Sequence, residues 1–69
     1  MNRTDLLNAT IASAVRKVAA DRIARYVVFD VTEQAYSTVK ETDTESLDCY
    51  HAEDLVVAYA NVDGEVEFR

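Results

Sequence analysis

The sequence predicts an α+β fold: an N-terminal amphipathic helix packed on a three- to four-stranded, mainly antiparallel sheet. Three observations carry that prediction. Apolar residues recur at helical spacing over residues 4–24, and they alternate at period two over residues 26–32. The chain's single glycine stands in an Asp63-Gly64 pair between two apolar runs, which is a hairpin signal.

In the first stretch, TDLLNATIASAVRKVAADRIA, residues are placed about 100° apart around a helix axis. Leu7, Ile11, Ala14, Val15 and Val18 then share a sector of roughly 100°, with Thr10, Ser13, Lys17 and Asp21 opposite. Thr4 is the expected N-cap. Asp5 complements the positive end of the helix dipole, and Arg22 and Arg25 the negative end. Alanines beside the stripe favour the helix and let a sheet approach closely. The stripe has no Trp or Phe, and Lys and Arg do not dominate the polar side, so a core helix fits better than a membrane-surface helix.

Residues 26–32, YVVFDVT, alternate Val27, Phe29 and Val31 with Tyr26, Val28, Asp30 and Thr32, a strand pattern. Residues 34–40, QAYSTVK, read as a second strand in preference to a short helix capped by Thr32. Ala35, Tyr36 and Val39 are too few to anchor such a helix. Residues 41–46, ETDTES, read as an exposed loop, and 47–54 as irregular chain with at most one helical turn. Residues 55–62, LVVAYANV, read as a strand running into the Asp63-Gly64 turn. That hairpin has two registers. A two-residue loop sets Phe68 opposite Tyr59 and Val66 opposite Asn61. A three-residue loop with a bulge at Gly64 sets Phe68 opposite Ala58 and Val66 opposite Ala60. Either register turns Glu65, Glu67 and Arg69 away from Val66 and Phe68.

The 69 residues form one domain, 1–69, without repeats or linkers. A domain of this size buries only about 60% of its unfolded surface, so a homodimer or a partner is a natural source of extra stability. One cysteine, Cys49, makes no internal disulfide and suits a reducing compartment. No signal peptide or membrane-spanning run is visible, which predicts a cytoplasmic protein.

Charge is distributed unevenly. Residues 1–40 carry six cations against four carboxylates, whereas residues 41–69 carry Arg69 alone against nine. The carboxylates Glu41, Asp43, Glu45, Asp48, Glu53, Asp54, Glu65 and Glu67 are the candidate contact set, with Asp63 the ninth acid of that half. Such a set is a solubilising surface in many acidic domains. Here the near absence of compensating Lys or Arg after Lys40 favours a surface for a basic partner. Tyr36, Tyr50 and Tyr59 are candidate aromatic anchors beside it.

Other chemistries fit less well. Cys49 and His51 on a strand would stand roughly 7 Å apart, too far for a direct nucleophile–base hydrogen bond. As zinc ligands, with Glu53 or Asp54, they lack a second ligand pair. Asp43, Glu45 and Asp48 lack the glycine and closing acid of a calcium loop. One glycine cannot build a phosphate-binding loop, so no cofactor is expected. Direct nucleic-acid binding is disfavoured too, because Arg3, Arg16, Lys17, Arg22 and Arg25 are spread around the helix and the acidic half opposes contact.

In length, poverty in glycine and acidity, the chain resembles phage-encoded inhibitors of the anti-CRISPR type. The likeness is carried by the lone helix LLNATIASAVRKV and the acid-rich stretches ETDTESLD, HAED and VDGEVEFR. The resemblance implies a non-enzymatic protein that occupies the basic, DNA-binding surface of a CRISPR effector complex, its acids standing in for phosphates. The alternatives are a structural or homodimerising phage or antitoxin-like subunit, and a small metal- or thiol-dependent enzyme using Cys49 and His51.

Overall fold

A computed structural model describes residues 3–69. It contains α1 (Arg3–Asp21), β1 (Arg25–Asp30), β2 (Ala35–Lys40), α2 (Thr44–Ala52), β3 (Val56–Ala60) and β4 (Val66–Phe68). The strands form one sheet in the order β2-β1-β3-β4 with every neighbouring pair antiparallel. The expected α+β architecture is present, and α2 adds a third layer on the sheet face opposite α1.

The apolar stripe of α1 lies on the sheet as its spacing demands. Ala14 and Val18 are fully buried against Val27, Ala58 and Ala60, and Leu7, Ile11, Val15 and Val66 close the rim. Small residues on both sides of this contact let the helix approach closely, and each buried valine stabilises the fold by about 1.5–3 kcal/mol relative to exposure. The helix stops at Asp21, earlier than periodicity alone suggested, because Arg22 takes a left-handed φ of 60° while its N–H still donates to Val18 O at 2.7 Å. Thr4 lies inside the first turn instead of capping it; the position ahead of the helix falls outside the described residues.

Arg25 departs from the expectation of a helix-end cation. It opens β1, is 5% exposed, and donates from both terminal nitrogens to Asp21 at 2.6 and 2.7 Å and from Nη1 to Ile23 O at 2.9 Å. The fork geometry satisfies a buried guanidinium that would otherwise be costly. Asp21 also accepts from Ile23 N–H at 3.0 Å, so one carboxylate ties the helix end to the first strand.

Residues 35–40 form a strand, not a capped helix. Asp30 Oδ1 accepts from the N–H groups of Thr32 and Glu33 at 2.9 and 3.2 Å, and Gln34 takes φ 53°, closing a turn. Along β3 a bulge leaves Val57 between the pairs Val27–Ala58 and Val28–Val56. The β3–β4 hairpin adopts the three-residue loop. Phe68 faces Ala58, Val66 faces Ala60, Asn61 N–H donates to Glu65 O at 2.9 Å, and Gly64 takes φ 84°.

Residues 41–46 are not a simple loop. Asp43 caps α2, accepting from Ser46 N–H at 3.3 Å, and the helix runs nine residues. Its only buried side chain is Leu47.

Candidate acidic interface

Strand alternation separates two faces of the sheet. Val27 points into the core under α1, so Tyr26 and Val28 point the other way. His51 of α2 meets Tyr26 edge-on, ring centroids 5.6 Å apart, which places α2 on that second face. The cross-strand pair Val28 and Val56 and the α2 residue Leu47 are buried outside the α1 cluster, giving this face a small core of its own.

The carboxylates gather on the α2 side. Glu45 and Asp48 are exposed along the helix, Glu53 caps its C-terminus, and Asp54 turns the chain towards β3 with φ 59°. Asp43 is exposed at the helix N-cap. Glu41 accepts a hydrogen bond from Tyr59 Oη at 3.2 Å. Glu67 pairs with Tyr59 across the strands, and Glu65 flanks Val66 on the same side as Glu67 because Val66 turns into the core. Asp63 is the exception: its loop lies beside Val15, Ala19 and Arg22 of α1.

Cations occupy the other side. Arg16, Lys17 and Arg22 are exposed on α1, and Lys17 Nζ donates to Thr38 Oγ1 at 3.0 Å. The Arg3 guanidinium lies 5.4 Å from the centroid of Phe29, on the α1 face. Lys40, across from Arg25, points the same way. Among the described residues the single salt bridge joins Asp21 to Arg25, so none of the nine carboxylates after Lys40 is ion-paired. In a molecule 18 Å thick in its shortest dimension, the sheet thus separates the front-half cations from eight of the nine carboxylates after Lys40.

Where α2 leaves the second face open, Tyr26 and Tyr59 stack with centroids 4.7 Å apart and planes tilted by 42°. The Arg69 guanidinium lies 5.8 Å from the Tyr26 ring centroid. Partial burial pushes the Tyr59 phenol above its ordinary range, and the nearby Glu41 charge pushes it further, so this hydroxyl remains a donor. Of the anchors expected from sequence, Tyr59 stands among the acids and Tyr50 is half-buried on α2. Tyr36 does not join them: it faces α1 and meets Phe29 at 5.3 Å. Sequence reasoning overlooked Tyr26, although the alternation of β1 already set it opposite Val27 and Phe29.

Cys49 and His51 lie on a helix, about 200° apart around its axis. Both are exposed, but His51 turns to Tyr26 and Cys49, nearly opposite on the helix, points elsewhere. Among the described residues no group of three or more His, Cys, Asp or Glu side chains is placed to hold a metal ion, and no helix is long and apolar enough to cross a membrane. Set against protein-family models, curated proteins and solved structures, the chain shows no match.

Proposed function

We propose that the protein is a non-enzymatic inhibitory module whose acidic face covers the basic, nucleic-acid-binding surface of another protein, in the manner of anti-CRISPR proteins on a CRISPR effector complex. One observation carries this reading: eight exposed carboxylates share the α2 side of the sheet with no ion pair among the described residues, while the front-half cations lie on the opposite side. Unpaired, like-signed charges in one layer repel one another. A fold that concentrates them gains most when a cationic surface meets them.

Contact is assigned to Glu41, Asp43, Glu45, Asp48, Glu53 and Asp54, with Glu65 and Glu67 at the margin of the patch. Asp43 contributes charge while capping its helix, so its neutralisation perturbs α2 as well. Glu45, Asp48 and Glu53 have no side-chain partner among the described residues and are the cleaner probes. The test is target-DNA binding by a purified CRISPR effector in the presence of the protein, with capture of the effector on immobilised protein titrated from about 50 to about 500 mM salt. Steep loss of capture is expected. Glu45→Gln/Asp48→Asn/Glu53→Gln should weaken it about tenfold, at roughly twofold per exposed charge. Capture indifferent to salt and to that triple variant, or undiminished DNA binding at saturating protein, refutes the reading.

A second reading, a homodimerising subunit, is favoured by Phe68, 68% exposed on the edge strand β4. A dimer that resists salt and dissociates on Phe68→Ser in sedimentation supports it.

A further inference from the structure

We propose that the Tyr26–Tyr59 shelf is an arginine-acceptor site, built to take a guanidinium from a basic protein segment in the position now held by Arg69. This rests on reading the acidic face as a protein-binding surface, and it names the chemistry that the face selects.

The shelf combines the features such a ligand needs. Two half-buried tyrosine rings present π-surface, with His51 bracing Tyr26 from the α2 side. A carboxylate stands on either flank of Tyr59: Glu41, fixed by the Tyr59 hydroxyl, and Glu67, its cross-strand partner. A planar guanidinium can lie flat on a ring and direct its N–H fork at a carboxylate, which an ammonium does less well. The guanidinium of Arg69 already rests over Tyr26, so the shelf has room for this group. That side chain makes no ion pair among the described residues, so it satisfies the ring and leaves both carboxylates unspent. An incoming arginine that reaches ring and carboxylate together gains a contact that Arg69 lacks. Arg69 is exposed and its chain is held by its own N–H to Val57 O at 3.0 Å, so its side chain can swing away without disturbing the sheet.

Arg69 therefore acts as a resident competitor, and its removal should strengthen binding. The experiment titrates the full chain with capped hexa-arginine while NMR follows the tyrosine ring protons and the backbone amides, with hexa-lysine in parallel. The Tyr26 and Tyr59 rings should shift on saturation, and hexa-arginine should bind more tightly than hexa-lysine. Arg69→Gln should tighten hexa-arginine binding about two- to fivefold. Arg22→Gln removes the same charge from the α1 side and should leave the affinity unchanged. Tyr26→Leu, kept only if its circular dichroism matches the parent, should abolish the preference for arginine. Shifts confined to the amides of Glu45, Asp48 and Glu53 with silent tyrosine rings overturn the acceptor site but leave the acidic-face reading standing. Equal tightening by Arg69→Gln and Arg22→Gln also overturns it, because net charge alone then explains the effect. No shift anywhere refutes both.

Discussion

Replacing Gly64 by alanine isolates one backbone angle. The loop 62–64 closes with Gly64 N–H donating to Asn61 O at 2.9 Å, while Asn61 Oδ1 accepts from the N–H groups of Asp63 and Glu65 at 2.9 and 3.0 Å. Gly64 holds φ 84° in that arrangement. A Cβ built there would come no closer than 3.7 Å to Val15 Cγ1, an ordinary van der Waals contact, so the substitution meets space and not a clash. The cost is then conformational, about 1–2 kcal/mol for an L-residue forced into the left-handed region. For a domain of this size each kcal/mol lowers Tm by about 4–8 °C, so Gly64→Ala should melt at least that much below the parent. Gly64→Asn should lose less, because asparagine tolerates positive φ. The decisive partner is a synthetic chain with D-alanine at position 64, which accepts this φ freely and should melt at or above the parent. Thermal unfolding followed by far-ultraviolet circular dichroism reads all four proteins. D-alanine carries its methyl on the other side of the α-carbon, away from the space beside Val15, so if it destabilises as much as L-alanine, the positive φ is not the cause of the loss.

Three further outcomes follow from the packing. Val18→Ala removes two methyl groups from a fully buried side chain and should cost about 2–3 kcal/mol by denaturant unfolding, a large share of the roughly 3–10 kcal/mol available to such a domain. A loss under about 0.5 kcal/mol would mean that α1 does not seat there. Asp43→Ala should cost about 1 kcal/mol and speed amide exchange throughout α2 while leaving β1 protected. The Arg25 guanidinium, and after it the Ile23 N–H, hold the Asp21 carboxyl far below its ordinary range. Because the folded state has the lower pKa, the stabilisation is complete above about pH 5 and fades as acid protonates the carboxylate. Urea midpoints should therefore fall from pH 7 to about pH 3 in the parent by more than in Asp21→Asn, which lacks that carboxylate. Equal falls in the two proteins would remove Asp21 as the cause.

Local patterns were enough for α1, for β1 and for the presence of the final hairpin. Leu7, Ile11, Ala14, Val15 and Val18 sit in the core where their spacing put them, since a helix that must bury one side has a single way to do so. The second helix was illegible for the opposite reason. It buries Leu47 alone among its nine residues, so its stripe is too narrow to rise above ETDTES, and its start depends on one Asp43 side chain in the right place. Arg25 read as a helix-end cation, and its spacing of four from Asp21 is a local pairing signal; that the helix stops at Asp21 and Arg25 opens a strand, buried, is not local.

By itself the sequence determined the helix-plus-sheet class, the turn at Gly64 and the accumulation of negative charge after Lys40. Each follows from neighbours in the chain, through periodicity, φ preference or composition. Tertiary structure decided the hairpin register, because both loops satisfy Gly64 and only the three-residue one matches Val66 to Ala60 beneath α1. It decided as well that Tyr26 and Tyr59 stack, that Tyr36 faces elsewhere, and that the front-half cations and eight of the nine back-half carboxylates lie on opposite sides of one sheet. Those outcomes depend on which strand neighbours which and on which face each helix covers, and such pairings join residues too distant in sequence for any local signal to fix.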